Sequence, residues 1–273
     1  MSRCVVFLSD YGYGDPFVGT CHAVIKRVSP AIQIVDLTHA VAAQDVRGGA
    51  IALSDAAPFL PGRAVVLAVV DPGVGSHRRG VAVDTAGGLT FVGPDNGLLA
   101  PAIAAAGGAT VVSELSNSPW RIEPVSNTFH GRDVFAPVSA RIAAGAATGD
   151  AGQPLDPSVL LSLELQRPTQ IAGGVRAEIS NIDHFGNVRL AARAKDLSES
   201  GIEVGSEIEI ETGRGMRTPA QFVATYSDVP EHEPLLFIDA NGAAAIAVNG
   251  GSAAAELKVM RGSSVQILQA GSA

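Results

Sequence analysis

The 273-residue chain lacks features that mark several classes of protein. It has only two cysteines, Cys4 and Cys21, and neither lies in a spacing typical of metal ligands or of a disulfide framework. A reducing, cytoplasmic setting is therefore expected. Basic residues are also few, because 19 lysines and arginines stand against 27 aspartates and glutamates. The resulting formal net charge of −8 argues against nucleic acid as a partner.

Long apolar segments are absent from the sequence as well. No stretch approaches the roughly 18 to 20 uninterrupted apolar residues that a membrane-spanning helix needs, so no membrane partner is expected. The apolar run at residues 4–8 is too short for a secretory signal, and acidic turn residues follow it directly. This run predicts a first β-strand instead.

The chain does contain ample apolar material for a core, since 47% of its residues are hydrophobic. Up to residue 147, short apolar runs such as 5–8 and 64–70 alternate with amphipathic segments such as 17–28 and 134–147. This alternation predicts an α/β sandwich in which helices cover both faces of a mostly parallel sheet.

The pattern changes at a polar, proline-containing segment in the second half of the chain. Short strand-like runs follow it at regular intervals, including 221–226 and 255–259, as in a small β-barrel. The sequence therefore predicts an N-terminal α/β domain over residues 1–164, a linker over 165–173 and a C-terminal β-barrel domain over 174–273.

The most informative motif follows the predicted strand 64–70. Asp71 ends this strand, a Pro-Gly turn and Gly75 follow, and Arg78 comes seven residues after the aspartate. Carboxylates at the strand ends of α/β proteins point into the crevice where ligands bind. Because the glycines allow the loop to fold back, we expect Arg78 to contact Asp71 and to form a catalytic or binding pair with it.

A second candidate is His130, which stands with Gly131, Arg132 and Asp133 just before the predicted helix 134–147. Histidine is the side chain best suited to proton transfer near neutral pH, and this setting favours a catalytic role. The alternative is a helix-capping Asp133 with a structural contact between the histidine and the arginine. The remaining histidines lack such a setting and are interpreted as ordinary: His22, His39, His77, His184 and His232.

Two predicted strand-to-helix junctions carry further acidic residues. Asp10 ends the first strand, where its carboxylate would accept hydrogen bonds from a ribose diol. The alternative for that loop is a simple turn with Asp15 near a helix N-terminus. Asp95 and Asn96 follow another strand, and local chemistry favours capping of the next helix by one of them.

The segment from Asp183 to Asn187 lies early in the predicted barrel. Phe185 would stack on a nucleobase, and Asn187 would read the edge of the base through a paired donor and acceptor. The alternative is a hairpin turn closed by Gly186 and Asn187, which local chemistry favours.

With these motifs together, the chain resembles the S-adenosylmethionine hydroxide adenosyltransferase family, long described as a domain of unknown function and related to the fluorinases and chlorinases. The matching motifs occur in order across nearly the whole chain: Ser9-Asp10-Tyr11-Gly12, Val35-Asp36-Leu37-Thr38-His39, residues 69–78, Pro94-Asp95-Asn96-Gly97-Leu98-Leu99, Thr128-Phe129-His130-Gly131-Arg132-Asp133, Phe185-Gly186-Asn187 and Ala247-Val248-Asn249.

The resemblance implies a fold, an assembly and roles for single residues. The implied fold is an N-terminal α/β domain with a small C-terminal β-barrel. The implied assembly is a homotrimer, with each ligand between one subunit's N-terminal domain and a neighbour's barrel. Asp71, Arg78 and His130 are implied as the catalytic trio that generates hydroxide. The implied substrate-binding residues are Asp10 at the ribose hydroxyls, Phe185 and Asn187 at adenine, Asp183 at the methionine amine, and Val248.

The implied reaction is hydrolysis of S-adenosyl-L-methionine (SAM) to adenosine and L-methionine, by attack of an activated water on the ribose C5′, without a metal or other cofactor. Two alternatives are a chlorinase-like, SAM-dependent halogenase and a non-catalytic binder of SAM or adenosine. Asp71 and His130 favour water over halide, since a carboxylate at the site repels an anion. The run 239–245 departs from the family, because Ala240 and Ala245 stand where relatives commonly carry a hydroxyl and a carboxylate.

Overall fold

The computed structural model describes residues 2–164, 166–213 and 215–271. The chain divides into two units, Met1–Leu163 and Glu164–Ala273. The predicted linker begins at Leu165, which lies outside the described residues. Buried hydrophobic clusters form separately within each unit.

The first unit alternates strands and helices. One π-helical turn, Gly131–Phe135, leads directly into its last helix. In chain order, the elements are β1 (Val5–Ser9), α1 (Phe17–Val28), β2 (Ile34–Thr38), α2 (Val46–Ala56), β3 (Val65–Val69), β4 (Gly80–Thr85), β5 (Thr90–Pro94), α3 (Ala100–Ala105), β6 (Ala109–Glu114), α4 (Ala136–Ala143) and β7 (Gln153–Pro154).

The strands of this unit form one sheet in the order β2-β1-β3-β5-β4-β6-β7. β1 pairs in parallel with β2 and β3, and β3 pairs in parallel with β5. β4, β6 and β7 run antiparallel to their neighbours. The predicted α/β class is confirmed, and the sheet is mixed, with β1 and β3 in its parallel half.

Helices cover both faces of the sheet. Val5 and Phe7 of β1 pack in the core that also contains residues of α1 and α4. Val6 and Leu8 pack in a second core with residues of α2 and α3. Successive side chains of a strand point to opposite faces, so a strand that is apolar at every position requires cover on both sides.

The helix α1 has the range expected from its hydrophobic pattern. Its buried residues are Val18, Cys21, Val24 and Ile25, which recur every three or four positions. This spacing places them on one stripe of the helix, and that stripe packs on the sheet.

The second unit is dominated by antiparallel strands. In chain order, its elements are β8 (Thr169–Ile171), β9 (Gly174–Ile182), β10 (Val188–Arg193), α5 (Ala194–Ser198), β11 (Glu207–Thr212), β12 (Arg217–Phe222), β13 (Pro234–Ile238), β14 (Ala243–Val248), α6 (Ala253–Leu257) and β15 (Ser264–Gln269).

These strands confirm the predicted barrel. They follow the order β10-β14-β13-β12-β11-β15-β9, and pairing of β9 with β10 closes seven strands, while β8 pairs with β9 alone. β11 shows the alternation that a barrel wall requires, because Ile208 and Ile210 are buried while Glu207 and Glu209 are more exposed.

Two segments of the barrel unit differ from the expected strands. The strand expected at 255–259 is the helix α6, because Ser252 caps its first turn by accepting a backbone hydrogen bond (3.3 Å) and alanines follow. The strand expected at 221–226 is β12, which ends earlier. Thr225 and Asp228 form a reciprocal cap over a short 3₁₀ turn, which prevents the strand from continuing.

The helices of both units are short. The longest, α1, has 12 residues. Within the part of the chain that the structure describes, no helix has the length and apolarity needed to cross a membrane.

Candidate active site

Two of the predicted site residues follow neighbouring parallel strands at the same edge of the sheet. Ser9 at the end of β1 pairs with Val69 at the end of β3. Asp10 follows the first strand, and its backbone N–H donates to the carbonyl oxygen of Val69 (3.4 Å). Asp71 follows the second strand. Both carboxylates therefore lie at the edge where α/β proteins bind ligands.

A tight loop returns the chain from Asp71 to Arg78. Ser76 Oγ donates to the carbonyl oxygen of Gly73 (2.6 Å) and accepts from the Arg78 backbone N–H (3.2 Å). Gly75 has a φ of 76°, in the left-handed region that glycine adopts without strain. The glycines of the motif therefore make the predicted return of the loop possible.

Arg78 and Asp71 form a bidentate ion pair. Arg78 Nε donates to Asp71 Oδ1 (2.7 Å), and Arg78 Nη2 donates to Asp71 Oδ2. Both side chains are largely buried, with 11% and 6% of their surface exposed. A charge-assisted pair of this geometry is rigid, since two parallel hydrogen bonds fix the planes of both groups. The expected contact between these two residues is present.

His130 joins this pair through the same guanidinium nitrogen. Arg78 Nη2 donates to His130 Nδ1 at 2.9 Å. A guanidinium has no acceptor, so Nδ1 carries the lone pair and the proton of the neutral ring is on Nε2. Burial, and then the charge of Arg78, hold the pKa of His130 below its usual value, although Asp71 and Asp133 act in the opposite direction. The structure therefore brings the three predicted catalytic residues into one group, with His130 neutral.

Close backbone contacts hold the loops of this group together. A Cβ at Gly75 would overlap with the carbonyl oxygen of Asn127, in the loop that precedes His130. A Cβ at Gly131 would overlap with the hydroxyl of Tyr11. Both positions therefore require glycine for reasons of space.

Asp133 has a structural role beside the group. Its side chain is buried and accepts from Arg132 Nε (2.6 Å) and Nη2 (2.8 Å) and from the Ser126 backbone N–H (2.8 Å). The π-helical turn also places Phe135 under the guanidinium of Arg78, 5.2 Å from Cζ to the ring centroid. The arginine that contacts His130 is thus Arg78 and not its sequence neighbour.

Tyr11 is a further member of this region and follows Asp10 directly in the sequence. Its ring packs edge-on against Phe129 at 5.8 Å between centroids. Burial is the main cause that raises the pKa of its hydroxyl, and Cys21 and Asp71 contribute in the same direction. Tyr11 therefore stays protonated, and it fills the space between β1 and the turn that begins at Gly131.

Asp10 is held by a second loop. Its Oδ2 accepts from the backbone N–H of Gln44 at 2.8 Å, and Gln44 has a φ of 64°. A non-glycine residue in this conformation is uncommon and marks a loop whose geometry is set by its contacts. Asp10 is thus oriented at the ligand-binding edge, where the sequence predicts contact with a ribose.

Asp95 and Asn96 do not cap a helix, so that prediction is wrong. Asp95 Oδ2 pairs with Arg79 Nη2 (2.6 Å), and its Oδ1 accepts from the Leu161 backbone N–H (2.8 Å). Asn96 Nδ2 donates to the carbonyl oxygen of Val70 (2.9 Å). The helix α3 begins later and has no side-chain cap. Both residues instead hold the ends of β3 and β4.

In the barrel unit, Asp183 and Asn187 form one polar cluster. Asp183 Oδ1 accepts from the backbone N–H groups of Phe185 and Asn187, both at 2.9 Å. Asn187 Nδ2 donates to Asp183 Oδ2 (2.8 Å) and lies 3.4 Å from the hydroxyl of Tyr226. Burial and the charge of Asp183 raise the pKa of Tyr226. Sequence patterns do not point to Tyr226, because it is 39 positions away from the asparagine that it contacts.

Phe185 projects from this cluster and is 75% exposed. Gly186 beside it has a φ of 86°, and a Cβ there would overlap with Ser252 Oγ. The loop is therefore the turn of the alternative interpretation, and it also presents an aromatic ring to solvent. An exposed ring on a rigid turn is suited to stacking.

Family models match both units of the chain. The model of the SAM hydroxide adenosyltransferase N-terminal domain matches residues 5–152, and that of the C-terminal domain matches residues 177–266. The chain belongs to the SAM hydroxide adenosyltransferase family. The resemblance drawn from its motifs is confirmed.

Relatives cover nearly the whole length of this chain. An (R)-S-adenosyl-L-methionine hydrolase from Salinispora tropica is 46% identical over 96% of this chain and 97% of its own. The protein of the same name from Thermus thermophilus is 38% identical over 97% of this chain and 100% of its own. A crystal structure of an uncharacterized conserved protein from Thermotoga maritima aligns with a TM-score of 0.89 at 32% identity. The alignment covers 97% of this chain and 100% of that protein. A fluorinase from an Actinoplanes species is more distant, at 27% identity.

Val248 and the run 239–245 both belong to the barrel unit. Val248 is only 3% exposed and packs in the barrel core at the end of β14, so its side chain does not join the Asp183 cluster. The run 239–245 comprises the turn between β13 and β14, at 239–242, and the first three residues of β14. Asp239 Oδ1 closes this turn by accepting from the backbone N–H groups of Asn241 and Ala243, both at 2.9 Å.

One group in the described part of the chain has the composition of a metal site. His22, Asp36 and His39 each offer a ligand atom, and these atoms lie within 4.8 Å of one another. Both histidines were expected to be ordinary, because their spacing in the sequence resembles no common metal motif.

Proposed function

We propose that this protein hydrolyses SAM to adenosine and L-methionine. The oxygen of a water attacks the ribose C5′, the bond between C5′ and the sulfonium sulfur breaks, and the electron pair of that bond stays on sulfur. Methionine leaves as a neutral thioether and needs no general acid. The proton lost by the water is released, so SAM cation and water give adenosine, methionine and one proton.

The observation that carries this proposal is the group of Asp71, Arg78 and His130. The reaction needs one poor nucleophile to be oriented and deprotonated. A carboxylate and a neutral imidazole are both proton acceptors, and Arg78 holds them through the same nitrogen. Of the two, Asp71 takes the proton of the water, because Nδ1 of His130 is already occupied by Arg78 and the Nε2–H of the ring is a donor that can hold the water oxygen. The guanidinium stabilises the hydroxide character that develops on the oxygen.

Four of the remaining predicted residues bind the substrate in this proposal. Asp10 accepts from the ribose hydroxyls, Phe185 stacks on adenine and Asn187 reads its edge. Asp183 receives the methionine ammonium. Fixing C5′ in line with the water and the sulfur contributes several kcal/mol to catalysis.

The proposed assembly is a homotrimer in which the Asp71 group of one subunit and the barrel cluster of a neighbour contribute to one active site. The molar mass by light scattering tests the trimer directly. No cofactor takes part in the proposed reaction. A cytoplasmic location belongs to the same proposal, since both cysteines are free thiols.

Halide chemistry is disfavoured by the charge of the site. Arg78 is the cation of the group, and the buried carboxylate of Asp71 already neutralises it. A halide ion would therefore meet no net positive charge, and it would lie close to a carboxylate that repels it. Water carries no charge, so the carboxylate does not repel it.

The proposal is tested by incubating the purified protein with SAM in water enriched in oxygen-18. Liquid chromatography with mass spectrometry should detect methionine and adenosine that carries the label at O5′. A parallel reaction in chloride buffer tests for 5′-chloro-5′-deoxyadenosine. That product, or unchanged SAM with measurable binding, would contradict hydrolysis and would support a halogenase or a binding protein respectively.

A further inference from the structure

Three side chains converge on a point between α1, β2 and the loop that follows β2. His22 Nε2 lies 2.8 Å from Asp36 Oδ1, and His39 Nε2 lies 3.1 Å from the same oxygen. His22 belongs to α1, Asp36 to β2, and His39 to the loop. None of them belongs to the group of Asp71, Arg78 and His130.

The hydrogen bonds of this cluster leave one ring nitrogen of His39 without a partner. Its side chain is fully buried, and Nδ1 is fixed by Ser9 Oγ at 2.7 Å. Nε2 is close to Asp36, yet it has no partner in hydrogen-bonding geometry. A buried polar atom without a partner is costly, and it indicates that a further group normally binds there.

The geometry points to a binding site for a divalent transition metal, and we propose that zinc is bound by His22 Nε2, Asp36 Oδ1 and His39 Nε2. Imidazole nitrogen with one carboxylate suits zinc, whereas magnesium and calcium prefer oxygen ligands only. Tetrahedral zinc with bonds near 2.0–2.1 Å separates its ligand atoms by about 3.3 Å. The separations of 2.8 and 3.1 Å require only small outward shifts to reach that value.

The surroundings fit a site that a metal can enter. The side chains of His22 and Asp36 are 30% and 29% exposed, so the outer side of the cluster is open to solvent. The inner side is closed by Phe7, whose ring lies 4.5 Å from that of His39. Cys21 is fully buried and packs in the hydrophobic core, so it is not a fourth ligand. Three protein ligands leave one position for water.

Such a metal would act by positioning and not by catalysis. Ser9 Oγ, which fixes His39, also accepts from the Tyr11 backbone N–H (3.2 Å). The carbonyl oxygen of His39 accepts from the Gly12 backbone N–H (2.8 Å). A metal at His39 would therefore hold the loop that carries Asp10. Hydrogen bonds from the second ring nitrogen commonly orient histidine ligands in this way.

The inference is tested on tag-free protein that has been stripped with a chelator, so that no affinity tag binds metal. Isothermal titration with Zn²⁺, with elemental analysis after dialysis, should give one ion per chain. The variants His22→Gln and Asp36→Asn change partly exposed side chains, so we expect them to fold. Losing one ligand should weaken zinc binding by at least about 100-fold, since even loss of a group that orients a ligand costs about 10- to 100-fold. His232→Asn, in the barrel unit, is the matched control and should bind zinc like the wild type.

Stability gives a second readout that is independent of turnover. At Zn²⁺ about 100-fold above its Kd, the Tm of the wild type should rise by about 5–10 °C, and a chelator should reverse the rise. The two ligand variants should show no such shift. A wild type that takes up no zinc, or a His22→Gln variant that binds it with wild-type affinity, would overturn the site and would identify the cluster as hydrogen-bonded ion pairs only. Hydrolysis of SAM does not enter either measurement.

Discussion

A single nitrogen, Nη2 of Arg78, donates both to Oδ2 of Asp71 and to Nδ1 of His130. The two acceptors come from loops that are far apart in the sequence, and this nitrogen links them. It neutralises the carboxylate and keeps the imidazole in its neutral form at the same time. The chemistry proposed for the site depends on this link.

Asp71→Asn should separate catalysis from binding. The amide keeps the size of the side chain but cannot accept a proton, so kcat should fall by about 10²- to 10⁴-fold, as expected for loss of a general base. The Kd for SAM should change only a few-fold, because the proposed binding residues are elsewhere. Steady-state kinetics and calorimetric titration measure the two effects separately.

The matched control for this variant is Asp95→Asn, which disrupts the neighbouring pair with Arg79. That change should lower the free energy of unfolding by about 1–3 kcal/mol, less than for a fully buried pair because the arginine is partly exposed. Its kcat should stay close to the wild-type value. Wild-type turnover by Asp71→Asn would show that the mechanism is wrong.

The pH dependence of the reaction should report the ionisation of His130. Once this ring is protonated it can no longer accept from Arg78, so kcat/KM should fall on the acid side. Because burial and then Arg78 lower the pKa of His130, this fall should occur below the usual value of about 6.5. NMR titration of the ring should give the same pKa in the free enzyme.

Arg78→Met provides the complementary test. In this variant His130 remains buried, but the positive charge of Arg78 beside it is lost. The pKa of His130 should therefore rise part of the way towards its usual value. A pKa at or above about 6.5 in the wild type, or no change in the variant, would argue against the neutral, arginine-bound ring.

The parts of the fold that were predictable from sequence are those set by local patterns. The apolar spacing of α1 and the continuous apolar run of β1 gave correct elements, because both patterns follow from the period of the structure they form. The pair of Asp71 and Arg78 was also predictable, since a short glycine-containing loop joins the two.

The remainder of the site depends on contacts that no local pattern contains. His130 reaches Arg78 across 52 positions. Its local setting favoured a catalytic role, but its place beside Asp71 and Arg78 was implied only by the resemblance to a family. The contacts of Tyr11 with Phe129 and of Tyr226 with Asn187 likewise join segments that are distant in the sequence. The cluster of His22, Asp36 and His39 was not predictable for the same reason, because its members come from a helix, a strand and a loop.

Gly131→Ala should damage the site by overpacking. Its φ is not in the left-handed region, so the backbone tolerates alanine, but the new methyl group would overlap with the hydroxyl of Tyr11. We expect a loss of about 1–3 kcal/mol in stability, together with lower kcat, because the turn carries His130. Thermal unfolding and kinetics measure both effects.

Tyr11→Phe should rescue part of this loss, because it removes the oxygen that the methyl group meets. The double variant should therefore be more stable and more active than Gly131→Ala alone, which a double-mutant cycle quantifies. Strictly additive effects would show that the two side chains do not interact.

Phe185→Ala should weaken substrate binding without changing the chemical step. Stacking of an aromatic ring on a base contributes about 1–3 kcal/mol, so KM should rise by about 10- to 100-fold while kcat stays nearly constant. Phe59→Ala is the matched control, because this ring is equally exposed, at 79%, and lies in the other unit. A fall in kcat with unchanged KM would contradict a role of Phe185 in adenine binding.

Mixed trimers should show whether one active site uses residues from two subunits. Asp71→Asn damages only the catalytic group, and Phe185→Ala damages only the barrel loop. If each site combines the first unit of one subunit with the barrel of its neighbour, mixed trimers contain some sites in which both parts are wild type. Co-expression with two different tags, followed by sequential affinity purification, isolates these mixtures.

At SAM concentrations well below KM, the mixed trimers should be several-fold more active than either parent trimer. Sites built within a single subunit would each retain one of the two defects, so mixing could not restore activity. Activity equal to the average of the two parents would therefore exclude shared sites. It would leave the proposed hydrolysis intact, because the Asp71→Asn variant tests that step separately.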